Sequence, residues 1–206
     1  MVKVEKATAI ILAGGLSSRF GSNKALAPWR GATLIEWVIG RLREIFPRVI
    51  VVAKDKQVYA RLRSDAASVV ADLERSVHPL SGFQAGLRAS PTWANFVTAC
   101  DMPFPNAGLI NALWQAYQGR SAAIGLWNGK IQPFFGFYSK RCLAAINAGL
   151  AAGDSIETIL RNVNASVLSE NEVRKIDPHG LSFLDLDTWE DYERAGKLQE
   201  EPSIRR

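Results

Sequence analysis

The sequence predicts an α/β protein with a three-layer, Rossmann-like fold, in which a mostly parallel sheet carries helices on both faces. Short apolar runs rich in β-branched residues recur along the chain, as in strands that are buried on both faces. Segments with helical periodicity separate these runs, and such βαβ alternation is typical of a parallel sheet with right-handed crossovers. We expect residues 1–198 to form a single domain and the polar tail at 199–206 to be disordered.

The elements can be placed in order along the chain. Ala7–Leu12 is the first strand. A helix begins at Thr33, with Glu36 at the spacing of a capping box, and Pro47 ends it. The remaining elements are a strand at 48–54, a helix at 57–64, an apolar run at 68–74, a strand from 93 that runs into Asp101, a helix at 106–118, a hairpin turn at 127–130 and amphipathic helices at 141–151 and 156–162.

The composition is that of a folded protein with anionic ligands. A chain of 206 residues, 48% hydrophobic and 22% charged, can bury one sizeable core. Its net charge of +5 favours anionic partners, but no zinc finger, recognition helix or aromatic-basic RNA motif indicates a nucleic acid. The two cysteines form no C-x-x-C pair, so a reducing cytoplasm is the expected location. No stretch approaches the ~20 apolar residues of a membrane span, and the first apolar run is too short for a secretion signal.

The loop after the first strand has the composition of a phosphate-binding turn. Gly14, Gly15 and Gly21 allow positive φ and let backbone N–H groups come close to an anion. Arg19 can present two donors to one phosphate, and Lys24 adds a compact ammonium. The spacing excludes a Walker A loop and a Rossmann fingerprint. A strand-to-helix connection without a ligand is the alternative interpretation.

An aspartate follows the apolar run that begins at residue 93. Carboxylates at the carboxyl ends of parallel strands face the ligand crevice of an open α/β sheet, and Mg²⁺ binds one or two such groups together with phosphate oxygens. Asp101 is therefore a candidate metal ligand, and a plain turn residue before proline is the alternative. His78, which also precedes a proline, is expected to be solvated or packed rather than catalytic.

The segment LAGGLSSRFGSNKAL resembles the signature L-A-G-G-x-S-x-R-M-G-x-[DN]-K-x-L of the molybdenum cofactor guanylyltransferases, a family of the nucleotidyltransferase superfamily. CDMPF is very similar to the family's C-D-M-P-[FY], whose aspartate coordinates Mg²⁺, and HPLSG resembles G-P-L-x-G, in which the last glycine starts a helix near the nucleotide. The chain departs from the family patterns at several positions. These are Phe20 for Met, Asn23 where Asp is commoner, His78 for Gly, Asp185 for Asn and Trp189 for Pro.

The resemblance implies transfer of GMP from GTP to the terminal phosphate of molybdopterin bearing molybdenum, with release of pyrophosphate and with Mg²⁺ as cofactor. It implies a molybdenum-insertion protein or a molybdoenzyme chaperone as protein partner. Asp187 is expected either to support the metal or to lie beside a helix capped by Thr188 and Asp191. The implied site residues are Arg19, Lys24 and Asp101 for catalysis, with Asp101 as the metal ligand; Leu12, Ala13, Gly14, Gly15, Lys24, Asp72, Gly82 and Asp101 for the nucleotide; and Gln132, Pro133, Asp185 and Asp187 for the acceptor.

Three alternatives stay open at this point. LAGG favours GTP, because the cytidylyltransferase relatives usually carry LAAG, but a cytidylyltransferase or a nucleotidyltransferase with another phosphorylated acceptor would share the fold. A non-catalytic, nucleotide-binding regulatory module is the third. The combination of Arg19, Lys24 and Asp101 favours an enzyme, since a binding module has less use for a metal carboxylate beside a phosphate loop.

Overall fold

The fold is built on a seven-stranded sheet with the strand order β5-β4-β1-β6-β8-β7-β9. The computed structural model describes residues 3–14, 23–62, 67–72 and 79–198. Only β8 runs against its neighbours, β6 and β7, and every other pairing in the sheet is parallel. The strands are β1 Ala7–Leu12, β4 Val49–Ala53, β5 Ala67–Ala71, β6 Ala94–Ala99, β7 Ala122–Trp127, β8 Lys130–Ser139 and β9 Ala165–Leu168, and a separate two-stranded sheet pairs β2 Pro28–Trp29 with β3 Ala32–Thr33.

Helices cover both faces of the sheet, as the sequence predicts. Successive residues of β1 point to opposite faces, so that Ile11 packs in one core with α1 and α3, whereas Ile10 packs in the other with α2, α4 and α5. The helices are α1 Leu34–Arg43, α2 Pro79–Ala89, α3 Ala107–Tyr117, α4 Cys142–Ala152, α5 Ile156–Arg161, α6 Glu170–Arg174 and α7 Trp189–Gly196, with 3₁₀ turns at Lys24–Leu26, Ala60–Leu62 and Leu181–Phe183.

Two glycine positions show how closely the layers approach. A Cβ at Gly86 of α2 would lie 2.6 Å from Ile10 Cγ2, so a glycine here lets the helix lie directly on β1. Gly180 has a φ of 63°, and a Cβ there would lie 2.1 Å from the ring of Trp127. Both residues are therefore required by packing of the protein itself.

Several local predictions are confirmed. Thr33 and Glu36 form the capping box of α1, and Asn106 caps α3 through a hydrogen bond from Leu109 N. The hairpin between β7 and β8 turns through Asn128 and Gly129, both with positive φ.

The helix expected at 57–64 is wrong for residues 57–62. Turns and the 3₁₀ turn Ala60–Leu62 occupy this part of the chain, and residues 63 and 64 lie outside the described residues. Asp55 Oδ1 accepts a hydrogen bond from Gln57 N, and the buried Tyr59 fastens the segment to the core. With so few residues, tertiary contacts outweigh weak helical periodicity. A second difference concerns α2, which begins at Pro79 rather than at Gly82.

Candidate active site

The candidate site lies where the strand order reverses. After β1 the chain adds β4 and β5 on one side and then returns to add β6 on the other, so the carboxyl ends of β1 and β6 part at a topological switch point. Cys100 N donates to Leu12 O at 3.0 Å, which joins the two strand ends. Asp101 therefore follows β6 at the edge where open α/β sheets bind ligands.

Asp101 is held by a turn whose neighbours are buried. Met102 packs into the core, and Pro103 O accepts a hydrogen bond from the indole of Trp37 at 2.9 Å. The side chain of Asp101 keeps 21% of its surface exposed, so its carboxylate remains open to the crevice. The thiol of the preceding Cys100 is unsuited to nucleophilic chemistry, because burial and then the charge of Asp101 raise its pKa, against the opposing effect of Lys24.

Lys24 lies directly against Asp101. Its ammonium is 2.8 Å from Asp101 Oδ2, 2.6 Å from Leu186 O and 3.9 Å from Asp187 Oδ1. Lys24 belongs to a 3₁₀ turn capped by Asn23, whose Oδ1 accepts from Ala25 N and whose amide donates to the hydroxyl of Tyr59 at 3.0 Å. The amide at position 23, where the family more often carries an acid, therefore fixes the turn that presents Lys24.

The segment before α7 brings further carboxylates to the same place. Thr188 and Asp191 form the capping box of α7, and Asp187 lies just before it with 62% of its side chain exposed. The structure thus contains both features that the sequence offered as alternatives: a capped helix and a carboxylate near Lys24. Asp185 stands at the exposed rim, where desolvation by the surrounding protein and then the charges of Asp101 and Asp187 raise its pKa to about 7, against the effect of Lys24.

A second charged pair lies at the ends of β4 and β5. Lys54 Nζ is 2.7 Å from Asp72 Oδ2, and the Ser81 hydroxyl donates to the same oxygen at 2.8 Å. The side chain of Asp72 is only 4% exposed, whereas that of Lys54 is 34% exposed. Desolvating a carboxylate is costly unless it is paired, and here Lys54 and Ser81 supply the partners of the buried Asp72.

Two glycines, Gly82 and Gly14, lie beside the Lys54–Asp72 pair. A Cβ at Gly82 would lie 3.6 Å from Asp72 Oδ2 and 3.8 Å from Leu12 Cδ2, which is ordinary contact. A Cβ at Gly14 would likewise lie 3.8 Å from Lys54 Cγ. The protein alone therefore does not require glycine at position 82, unlike position 86.

The expected acceptor residues are only partly brought together. Asp185 and Asp187 adjoin Lys24 and Asp101, whereas Gln132 bonds to the hairpin through Trp127 O and Lys130 O. Pro133 O accepts the Tyr138 hydroxyl at 2.6 Å. Within the described chain, no hydrogen bond or ion pair joins Gln132 or Pro133 to the Lys24–Asp101 pair. Because β7 runs parallel to β6, the hairpin nevertheless lies at the same edge of the sheet.

The oxygen ligands in the crevice fit a hard divalent cation. Asp101 and Asp187 both approach the ammonium of Lys24, so a cation bound there would have carboxylate oxygens beside it. Among the residues that the structure describes, no group of three or more His, Cys, Asp or Glu forms a complete metal cage. Mg²⁺ needs only one or two carboxylates when phosphate oxygens complete its shell, so the donor set matches a cation bound together with a nucleotide.

Some site residues of the sequence analysis cannot be placed. Arg19, Gly15 and His78 lie outside the described residues. Conversely, sequence reasoning missed Lys54 and Leu186. Lys54 could have been found, because a lysine directly after a buried strand lies at the ligand edge of the sheet. Leu186 could not, because it acts through a backbone carbonyl, which every residue has.

Comparison with known proteins decides the family. Residues 9–168 match the model of the MobA-like NTP transferase domain. The chain belongs to this family. It is 31% identical to a probable molybdenum cofactor guanylyltransferase of Peptoclostridium acidaminophilum, over 94% of this chain and 90% of the relative, and 33% identical to the molybdenum cofactor guanylyltransferase of Syntrophotalea carbinolica, over 91% and 89%. The crystal structure of molybdopterin-guanine dinucleotide biosynthesis protein A from Archaeoglobus fulgidus superposes with a TM-score of 0.78 at 25% identity, covering 92% of this chain and 96% of that one.

As a MobA-like NTP transferase, the chain is a nucleotidyltransferase, and the predicted α/β fold is confirmed by this structural match. Members of the family generally use a divalent metal ion, in agreement with the oxygen ligands at the switch point. In the described part of the chain, no helix is long and apolar enough to span a membrane.

Proposed function

We propose that this chain transfers GMP from GTP to the terminal phosphate of molybdopterin bearing molybdenum. The main observation behind this proposal is the contact between Lys24 and Asp101. The ammonium lies 2.8 Å from the carboxylate, at the switch point of a nucleotidyltransferase sheet. The relatives named molybdenum cofactor guanylyltransferase, which match nearly the whole chain, support this choice of donor and acceptor.

The reaction is an in-line displacement at the α-phosphorus of GTP. An oxygen of the acceptor phosphate forms the new bond to phosphorus, the bond to the bridging oxygen of the β-phosphate breaks, and pyrophosphate leaves with that electron pair. Because the attacking oxygen is already anionic, no protein base is required. Catalysis then consists of positioning and of stabilising charge.

We assign the nucleotide to the half of the crevice over β1, β4 and β5. Backbone groups of Leu12, Ala13 and Gly14 would meet the guanine edge, and Gly82 would face the nucleotide beside Asp72, whose Oδ2 lies 3.6 Å from the position of a Cβ at Gly82. Lys24 and, from the sequence, Arg19 and the N–H groups around Gly15 would hold the phosphates. Gln132, Pro133, Asp185 and Asp187 would face the acceptor on the other half.

We propose Mg²⁺ as the divalent ion, held by Asp101 with support from Asp187. When bound, it would neutralise charge on the phosphate oxygens. A cytoplasmic location is consistent with the free thiols of Cys100 and Cys142. A molybdenum-insertion protein or a molybdoenzyme chaperone is the protein partner that the family resemblance proposes.

The test is pyrophosphate release with each of the four NTPs and Mg²⁺, with and without molybdenum-loaded molybdopterin. Release with GTP only in the presence of the pterin is the expected result. Equal turnover with CTP would refute the assignment of the base, and tight GTP binding without release would refute guanylyl transfer in favour of another acceptor or a regulatory role.

A further inference from the structure

The backbone of Leu186 joins the two groups on which the site depends. Its N–H donates to Asp101 O at 3.1 Å, and its carbonyl accepts from Lys24 Nζ at 2.6 Å. Lys24 and Leu186 are 162 positions apart in sequence, and this contact is buried. A single peptide segment from the end of the chain therefore fixes both the loop of Asp101 and the ammonium of Lys24.

The side chain of Leu186 holds this backbone in place. It is fully buried in a small core, separate from those on the two faces of the main sheet, with Trp29, Leu34, Phe104 and Ala195. The ring of Trp29 packs 5.0 Å from Tyr192 of α7 and 6.1 Å from Phe104, centroid to centroid. This small core thus links the β2–β3 hairpin, the loop after Asp101 and the C-terminal helix.

We propose that Leu186 is a positioning residue for nucleotidyl transfer, and that the segment 184–198 completes the active site from outside the region that matches the family model. The proposal depends on the proposed function only for the identity of the reaction, guanylyl transfer. A lysine carries its charge on a flexible four-carbon stem, so a fixed acceptor is needed to define where the ammonium stands. The carbonyl oxygen of Leu186 is that acceptor. The buried side chain of Leu186 holds this carbonyl in a fixed position.

The competing explanation is that Leu186 is a core residue and nothing more. Both explanations predict that Leu186→Ala lowers stability, because it opens a cavity. The two explanations differ in the turnover that they predict for Leu186→Ala. A displacement of about 1 Å at a catalytic group can reduce the rate about 100-fold. If Leu186 positions Lys24, its truncation displaces the ammonium, whereas truncation of a core residue that contacts neither Lys24 nor Asp101 leaves both groups in place.

The first experiment compares Leu186→Ala with Leu113→Ala, which removes an equally buried leucine from α3. At a temperature at which circular dichroism shows both variants folded, we expect kcat to fall about 100-fold for Leu186→Ala and less than about threefold for Leu113→Ala. Leu186→Met, which keeps the side-chain volume, should restore most of kcat. Equal kcat in the two alanine variants would overturn the proposal.

A second experiment needs no turnover. Removing the ammonium releases Leu186 O, so in Lys24→Met the Leu186 amide should exchange with solvent deuterium at least about tenfold faster than in the wild type, after each rate is divided by that of the Leu113 amide in the same protein to remove the effect of lower global stability. Lys54→Met, which breaks the other lysine–aspartate pair, should leave this amide unchanged. Unchanged exchange in Lys24→Met would overturn the proposal, whereas absence of GTP turnover in the wild type would overturn only the proposed guanylyl transfer.

Discussion

Replacing Lys24 by methionine should weaken the fold, tighten metal binding and reduce turnover at once. At an effective dielectric constant of about 20, the 2.8 Å separation from Asp101 corresponds to an attraction of about 6 kcal/mol. The more exposed Asp187, at 3.9 Å, adds little after solvent screening. Desolvation of the ammonium offsets most of the attraction, which leaves a net loss of about 2–3 kcal/mol, or a Tm lower by about 4–12 °C.

The metal measurement separates this prediction from simple destabilisation. In the wild type without nucleotide, a divalent cation must compete with the ammonium for Asp101 Oδ2. In Lys24→Met that competition is gone, so Mn²⁺ should bind at least about tenfold more tightly, a difference of about 1.4 kcal/mol. Turnover should nevertheless fall about 10²–10³-fold, because in the proposed mechanism the ammonium of Lys24 stabilises the departing pyrophosphate.

Titration of Mn²⁺ followed by electron paramagnetic resonance measures the affinity, and thermal unfolding measures the stability. Lys54→Met is the matched control, because it breaks a lysine–aspartate pair of similar length, 2.7 Å, away from Asp101. It should lower Tm without changing Mn²⁺ affinity. Equal Mn²⁺ affinity in Lys24→Met and wild type would refute the reasoning, since it would mean that the ammonium does not occupy Asp101 in solution.

Four further predictions concern other parts of the chain. Gly86→Ala should lower the free energy of unfolding by about 1–3 kcal/mol, because its Cβ would lie 2.6 Å from Ile10 Cγ2, and denaturant unfolding measures this loss. Gly82→Ala should leave stability unchanged or raise it, yet weaken GTP binding, which nucleotide titration measures. Unchanged GTP affinity in Gly82→Ala would contradict that prediction. Burial raises the pKa of Cys142 to about 11, so its thiol should resist iodoacetamide at pH 8 and react faster as the pH rises, and fast labelling of the folded protein at pH 8 would contradict this. A chain ending at residue 198 should keep the Tm and turnover of the full chain, as the expected single domain at 1–198 requires, and a lower Tm would show that the tail is needed.

The fold was predictable because local signals and tertiary structure agree. Strand β4 is apolar along its whole length, and the other central strands are largely so. The capping residues Thr33 and Asn106 mark helix starts in the sequence as well as in the structure. The segment at 57–62 had weaker periodicity, and there the burial of Tyr59 decided the conformation instead. Local sequence patterns therefore predict an element correctly where local conformational preference and core packing favour the same structure.

The site was predictable only in part. Asp101 could be found because a strand followed by an acid is a local pattern, and Lys24 because it belongs to a glycine-rich loop. The partners of these residues are long-range: Leu186 contacts Lys24 across 162 positions, and Lys54 meets Asp72 only through the pairing of β4 with β5. Strand register and side-chain packing determine such contacts, and a short sequence motif predicts neither.

The reversed direction of β8 has a consequence for the rim of the crevice. Because β8 starts at the crevice edge, the rim on that side is a two-residue turn, Asn128 and Gly129, instead of a strand-to-helix connection. Residues can be inserted or exchanged in such a turn without shifting the register of β6, the 3₁₀ turn of Lys24 or the strand that precedes Asp72. The rim beside the proposed acceptor side can therefore change while the proposed nucleotide half keeps its structure.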